Sequence, residues 1–132
     1  MTRDCPECGA AMLAFPVEAS LREYLPGEDP GAALCPRCLA LRPVADPPAE
    51  VPDFGRVSDA FPDAPSAAVP FALLLGLLSS LATHRDEIAA LLELVEREGV
   101  DPLLTLDRLA DDPDVDSGVD LAGRRRQLEQ LL

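Results

Sequence analysis

Lysine and tryptophan are absent from the 132 residues, and tyrosine and histidine occur once each. With 24 acids against 11 arginines the net charge is -13, which opposes binding to the phosphate backbone of nucleic acid. Aromatic residues make up 4% of the chain while 48% is hydrophobic, so a core must be aliphatic, and the chain is too apolar for a solvated tail. One histidine, no glycine-rich phosphate loop and no Ser/His/Asp set leave little for catalysis, and a non-enzymatic role is expected. No basic and apolar leader opens the chain, since Arg3, Asp4 and Cys5 follow Met1 almost at once, and a cytoplasmic protein is expected. Residues Ala64 to Thr83 carry no charge, but Pro70 and Gly76 interrupt the stretch and no basic cluster precedes it. It reads as a buried core helix and not as a membrane span.

Three stretches differ in composition. Residues 1–42 hold all four cysteines, residues 43–65 hold six of the fourteen prolines, and residues 66–132 hold three. The middle stretch reads as a linker, because the residue before each proline is pushed towards extended backbone. Phe54, Val57 and Phe61 nevertheless give it an apolar face that can dock on the next domain. The charge is uneven too: residues 1–45 carry 4 arginines against 6 acids, and residues 46–132 carry 7 against 18.

From Ser66 the pattern is helical. Ser66 is expected to cap a first helix reaching about Ala82. Thr83 and Asp86 stand at capping-box spacing for a second, Arg85 to Glu98, with Ile88, Leu91, Leu92 and Val95 on one face and Gly99 as its stop. Asp101 before Pro102 announces a third, short helix, and Ser117 with Asp120 a fourth that carries Leu121, Leu128, Leu131 and Leu132. In the first third, Ala10 to Val17 suits a strand, Glu18 to Tyr24 a helical turn, and Pro26-Gly27 a turn. The fold class is α+β, mainly α: a small N-terminal zinc-ribbon-like module (1–42), a Pro-rich linker (43–65) and an acidic bundle of about four helices (66–132). The bundle can dimerise through the surface of Leu73 to Leu81.

The cysteines carry the chemistry. They read Cys5-Pro-Glu-Cys8 and Cys35-Pro-Arg-Cys38, and a two-residue gap lets one tight turn bring two thiolates to one ion. Gly9 suits the positive φ at the exit of the first turn, whereas Leu39 stands at the equivalent place in the second. Cys5, Cys8, Cys35 and Cys38 can therefore hold one structural zinc per chain. Iron in a rubredoxin-like electron carrier is the sharpest alternative, with two redox-active pairs or disulfides behind it. Four thiolates leave no open position for a catalytic water.

Other features read more plainly. His84 falls between two helices as a loop or helix-start residue. Asp112, Asp114 and Asp116 alternate like a calcium loop, but Ser117 and Gly123 break that pattern. Arg124, Arg125 and Arg126 form a charge-balancing face. The less acidic first third, with Arg22, Arg37 and Arg42, is the expected contact surface for a protein partner; a nucleic-acid regulator is the disfavoured alternative. A surface rich in carboxylates and free of lysine suits molar salt, where the screening length is about 3 Å. CPECG, the CPRC turn and the stretch from Asp53 through Leu73 to Leu78 to the closing RRRQLEQLL together resemble an uncharacterised family of short haloarchaeal proteins, the small CPxCG-related zinc-finger proteins. The resemblance implies a salt-adapted, cytoplasmic, zinc-binding protein with Cys5, Cys8, Cys35 and Cys38 as ligands, and it implies no activity.

Overall fold

A computed structural model describes residues 4–130. Three short strands, β1 (Leu13–Pro16), β2 (Gly31–Leu34) and β3 (Leu41–Val44), form an antiparallel sheet in the order β1-β2-β3. Leu13 pairs with Leu34 and Phe15 with Ala32; Leu34 in turn pairs with Leu41, and Gly31 with Val44. The period of two then sorts the side chains. Leu13, Phe15, Ala32 and Leu34 join the main core, while Ala33 and Val44 join Met12, Cys5 and Cys35 in a smaller cluster. β2 is buried along its whole length because it has a core on each face. Between β1 and β2 the chain makes two short 3-10 turns, Ala19–Tyr24 and Pro26–Glu28.

Four α-helices follow among the described residues. The first, α1 (Pro65–Leu77), begins one residue before the expected cap: Ala64 holds the N-cap position, and Pro65 at the first helical position needs no N–H partner. Every residue from Ala67 to Leu75 is buried, so α1 is a central helix without a polar face. It ends at Leu77, short of the expected Ala82, and a 3-10 turn takes the chain through Leu78–Ser80. At about 1.5 Å per residue it spans some 20 Å, and none of the helices among the described residues is long and apolar enough to cross a membrane. Leu73, Leu74, Leu75 and Leu78 pack inside the chain, so the apolar surface expected to dimerise is covered by the chain's own residues.

Helix α2 (Arg85–Arg97) buries Ile88, Leu91, Leu92 and Val95, as its pattern predicts, and stops at Gly99 with φ 84°. Its N-cap is His84 and not Thr83, because a preceding turn continues through His84, whose N–H donates to Ser80 and Leu81. Helix α3 (Pro102–Asp111) is capped by Asp101, which accepts from the backbone N–H groups of Leu103 and Leu104 at 3.1 Å each. Helix α4 (Leu121–Glu129) is capped by Asp120, which accepts from Gly123; Ser117 instead accepts from Val119 in the turn before it. Leu131 and Leu132, expected on this last helix, lie outside the described residues.

The Pro-rich stretch does not hang free. A 3-10 turn, Phe54–Arg56, capped by Asp53, inserts Phe54, and Val57 and Phe61 follow it into the main core. Four phenylalanines form a chain of ring contacts: Phe15 to Phe54 at 5.2 Å, Phe54 stacked on Phe61 at 5.0 Å, and Phe61 to Phe71 at 5.2 Å. Few as the aromatics are, they join the sheet, the Pro-rich stretch and α1 into one core.

Helix α1 crosses β3 where Gly76 faces Leu41. A Cβ at Gly76 would lie 2.8 Å from the Cβ of Leu41, so that crossing tolerates only hydrogen. Phe54→Ala is expected to destabilise the chain by about 3–5 kcal/mol. Denaturant unfolding checks this, and a loss below about 1 kcal/mol would return residues 43–65 to a free linker. Gly76→Ala should lose about 1–3 kcal/mol to overpacking, less about 1 kcal/mol regained in helix propensity. The same substitution made in a Leu41→Gly background, which alone removes the opposing Cβ, should be neutral or stabilising, a difference that a double-mutant cycle measures.

Candidate metal centre

Two turns of the same construction carry the cysteines. In the first, the Cys5 N–H donates to Ala10 O at 2.7 Å and the Gly9 N–H to Cys5 O at 2.8 Å; in the second, Cys35 donates to Ala40 at 2.9 Å and Leu39 to Cys35 at 3.0 Å. The fifth residue of each turn has positive φ, 82° at Gly9 and 63° at Leu39. Leucine in that conformation carries a strain of about 1–2 kcal/mol. Burial of its side chain in the main core, where Leu39 is 5% exposed, contributes about 1.5–3 kcal/mol in return. The second turn is thus anchored to the helical side of the molecule in a way that Gly9 cannot anchor the first.

The sheet brings the two turns together. All four Sγ atoms lie within 4.8 Å of one another, with Cys5 to Cys38 at 3.5 Å and Cys8 to Cys35 at 3.4 Å. A tetrahedral ion with sulfur at about 2.3 Å would set its ligands about 3.8 Å apart, so this donor set fits a single thiophilic metal. Backbone N–H groups already point at the sulfurs: Glu7 donates to Cys5 Sγ and Cys38 to Cys35 Sγ, each at 3.4 Å. Cys5 and Cys35 are buried, Cys38 is half-buried and Cys8 is exposed. Around them pack Met12, Ala33 and Val44, with no aromatic ring among the residues of this cluster.

The thiols do not titrate alike. Burial raises Cys5, but backbone N–H groups of Cys8 and Glu7 and the thiols of Cys38 and Cys35 outweigh it, bringing Cys5 from 9.0 down to about 7. Burial pushes Cys38 up to about 12, helped by the thiols of Cys35, Cys5 and Cys8, and raises Cys35 as well. Four sulfurs this close cannot all be charged without a cation among them. A divalent metal removes that conflict and displaces protons as it binds.

The loop between α3 and α4 closes over the second turn. The Asp116 N–H donates to Arg37 O at 2.7 Å and the Gly118 N–H to Cys38 O at 3.3 Å. Asp112 ties the start of the loop to the Pro-rich stretch, accepting from the Ser58 hydroxyl at 2.5 Å and from the Asp114 N–H at 2.9 Å. The Ser58 hydrogen bond holds the Asp112 carboxyl below its usual range. The alternating aspartates are therefore a structural loop, in agreement with the broken calcium pattern. Of the three arginines expected to meet a partner, Arg22 is half-buried and donates to Val17 O at 2.9 Å, and Arg42 sits 3.7 Å from Glu7. Arg37 is exposed and makes no ion pair among the described residues. Arg125 pairs with Asp107 at 3.1 Å and with Glu129, as a charge-balancing face requires.

Strands β2 and β3 have no counterpart in the sequence reading. Alanine, proline and arginine hide their β character, and only the repeated fifth residue after each first cysteine hints at paired turns. No curated protein and no solved structure matches the chain. The model of a family of unknown function (DUF6276) matches residues 4–132, nearly the full length, and the chain belongs to that family.

Proposed function

We propose that the chain is a non-enzymatic zinc-binding adaptor or regulatory protein of a salt-adapted cytoplasm, resembling the haloarchaeal CPxCG-related proteins, with one structural zinc held by Cys5, Cys8, Cys35 and Cys38. The observation that carries this reading is the meeting of four thiols within 4.8 Å. Bound there, zinc would cross-link the two turns and contribute folding free energy to a segment with few large side chains of its own. Its shell would be complete, which leaves no position for a substrate. The chain's own groups do the remaining work. Glu7 and Cys38 N–H groups orient the sulfurs, Leu39 ties the second turn to the core, and the Asp116 and Gly118 N–H groups clamp that turn from the helical side. Zinc is preferred to iron because aliphatic Met12, Ala33 and Val44 surround the thiols where a rubredoxin-like site would place rings. A protein partner is preferred to nucleic acid because the net charge is -13. Exposed Arg37, beside the metal, is the residue best placed to meet such a partner.

Metal analysis of protein purified in molar salt without added metal should find one zinc per chain and no visible colour. The Cys5→Ser variant should lose both the zinc and the folded N-terminal third. Iron with a visible absorption band would make the protein an electron carrier, and the absence of metal with oxidisable thiols would make it a thiol-redox protein. Hydrogen exchange tests the clamp. Removing the metal with a chelator should deprotect the amides of Asp116 and Gly118 as well as those of the two turns, while α2 keeps its protection. Unchanged exchange at Asp116 and Gly118 would show that the loop holds its place without the metal.

A further inference from the structure

The chain's only tyrosine and only histidine meet in one groove. It has a volume of about 300 Å³ and lies where the turn ending at Tyr24 meets β3 and the junction of α1 with α2. Leu25, Leu41 and Leu77 line it together with the carboxylates of Glu23 and Glu87. Tyr24, His84 and Glu87 are half-buried and Glu23 is exposed.

None of the side chains of Glu23, Tyr24, His84 and Glu87 has a hydrogen bond or ion pair among the described residues, in contrast to the caps Asp53, Asp101 and Asp120 and to Asp112. No arginine lines the groove to balance the two carboxylates. The electrostatics agree with this placement: burial raises the Tyr24 phenol, and the charges of Glu23 and Glu87 raise it further.

A complementary ligand brings positive charge, several donors and an apolar stem, and it is the size of one side chain. An anion is repelled, and a purely apolar group leaves the carboxylates without partners. A guanidinium meets every requirement: a planar fork of donors for two carboxylates, a face that stacks on an aromatic ring, and methylenes that lie along leucines. We propose that this groove receives an arginine side chain of a partner polypeptide, with the guanidinium between Glu23 and Glu87 beside the Tyr24 ring and the stem on Leu25, Leu41 and Leu77. This rests on the partner half of the proposed function and is independent of which metal the cysteines hold.

Because tryptophan is absent and Tyr24 is the only tyrosine, the ultraviolet emission of the protein reports on this groove alone. The experiment titrates the full-length, metal-loaded chain with a short peptide carrying one central arginine, at low and at molar potassium chloride. An otherwise identical peptide with neutral citrulline serves as the control. The expected result is a saturable change in Tyr24 emission with the arginine peptide, absent with citrulline, and weakened about tenfold in Glu23→Gln and again in Glu87→Gln. Circular dichroism should leave both variants with wild-type helix content. Molar salt should weaken binding without abolishing it, since the groove is partly screened from solvent. No response to the arginine peptide, or an equal response to the citrulline peptide, overturns the proposal. So does a response to spermidine but not to the peptide, which would make the site one for free polyamines. Metal content measured on the same samples keeps the two readings apart, because lost binding at full metal loading counts against the groove alone.

Discussion

Bringing Cys5 and Cys8 within reach of Cys35 and Cys38 requires the chain to return on itself across 26 intervening residues, and the pairing of β1 with β2 accomplishes the return. Each cysteine turn then leads into or out of a strand, and the strand register sets where the sulfurs stand. Slipping that register by one residue would exchange the two faces of β2, sending Ala32 and Leu34 to the cysteine side and Ala33 to the helices. The four-sulfur geometry and the hydrophobic sorting of the sheet are therefore one constraint. It is satisfied at Leu39 at the cost of a left-handed backbone.

Helix α1 occupies the centre because no face of it is polar. The chain has few large side chains to set against it, and it compensates with close approach: alanines along α1 and β2, and hydrogen alone at Gly76 against Leu41. The phenylalanines go where three separate parts of the chain must be joined. Such a core depends on backbones coming near one another, so an added methyl group matters as much as a deleted one.

The acids are not uniformly a solvated coat. Asp53, Asp101 and Asp120 cap helices, and Asp112 fixes a loop against Ser58. In each case a short carboxylate satisfies backbone or hydroxyl donors that would otherwise need water, a task for which aspartate suits better than glutamate. Among the described residues the two buried polar ones, Ser58 and Thr105, are both hydrogen-bonded, Ser58 to Asp112 and Thr105 to the Asp101 carbonyl. Arginine alone supplies the positive charge, and where it is engaged it takes partners within the chain, as Arg42 and Arg125 do.

Four helices and the cysteines that cluster were legible because their signals are local: apolar spacing along α2, Asp101 before Pro102, Gly99 as a stop, and a two-residue gap between cysteines. Cap positions shifted by a residue or two, at Ala64 because Pro65 opens the helix and at His84 because the preceding turn runs on through it. What residues 43–65 do was only half legible, since proline excludes helix but says nothing about where Phe54 goes. Strands β2 and β3 were hidden, because Gly-Ala-Ala-Leu and Leu-Arg-Pro-Val become strands only through the partners that flank them. Leu39 looked like a departure from a metal turn until its side chain was seen in the core. The groove of Tyr24, His84, Glu23 and Glu87 was beyond reach for the same reason. By itself the sequence determined which residues can ligate a metal and which segments must be helical, both properties of short stretches of chain. Tertiary structure alone decided that sheet, Pro-rich stretch and helices share one core, and which polar groups are left without partners, because those outcomes depend on contacts between residues far apart in the chain.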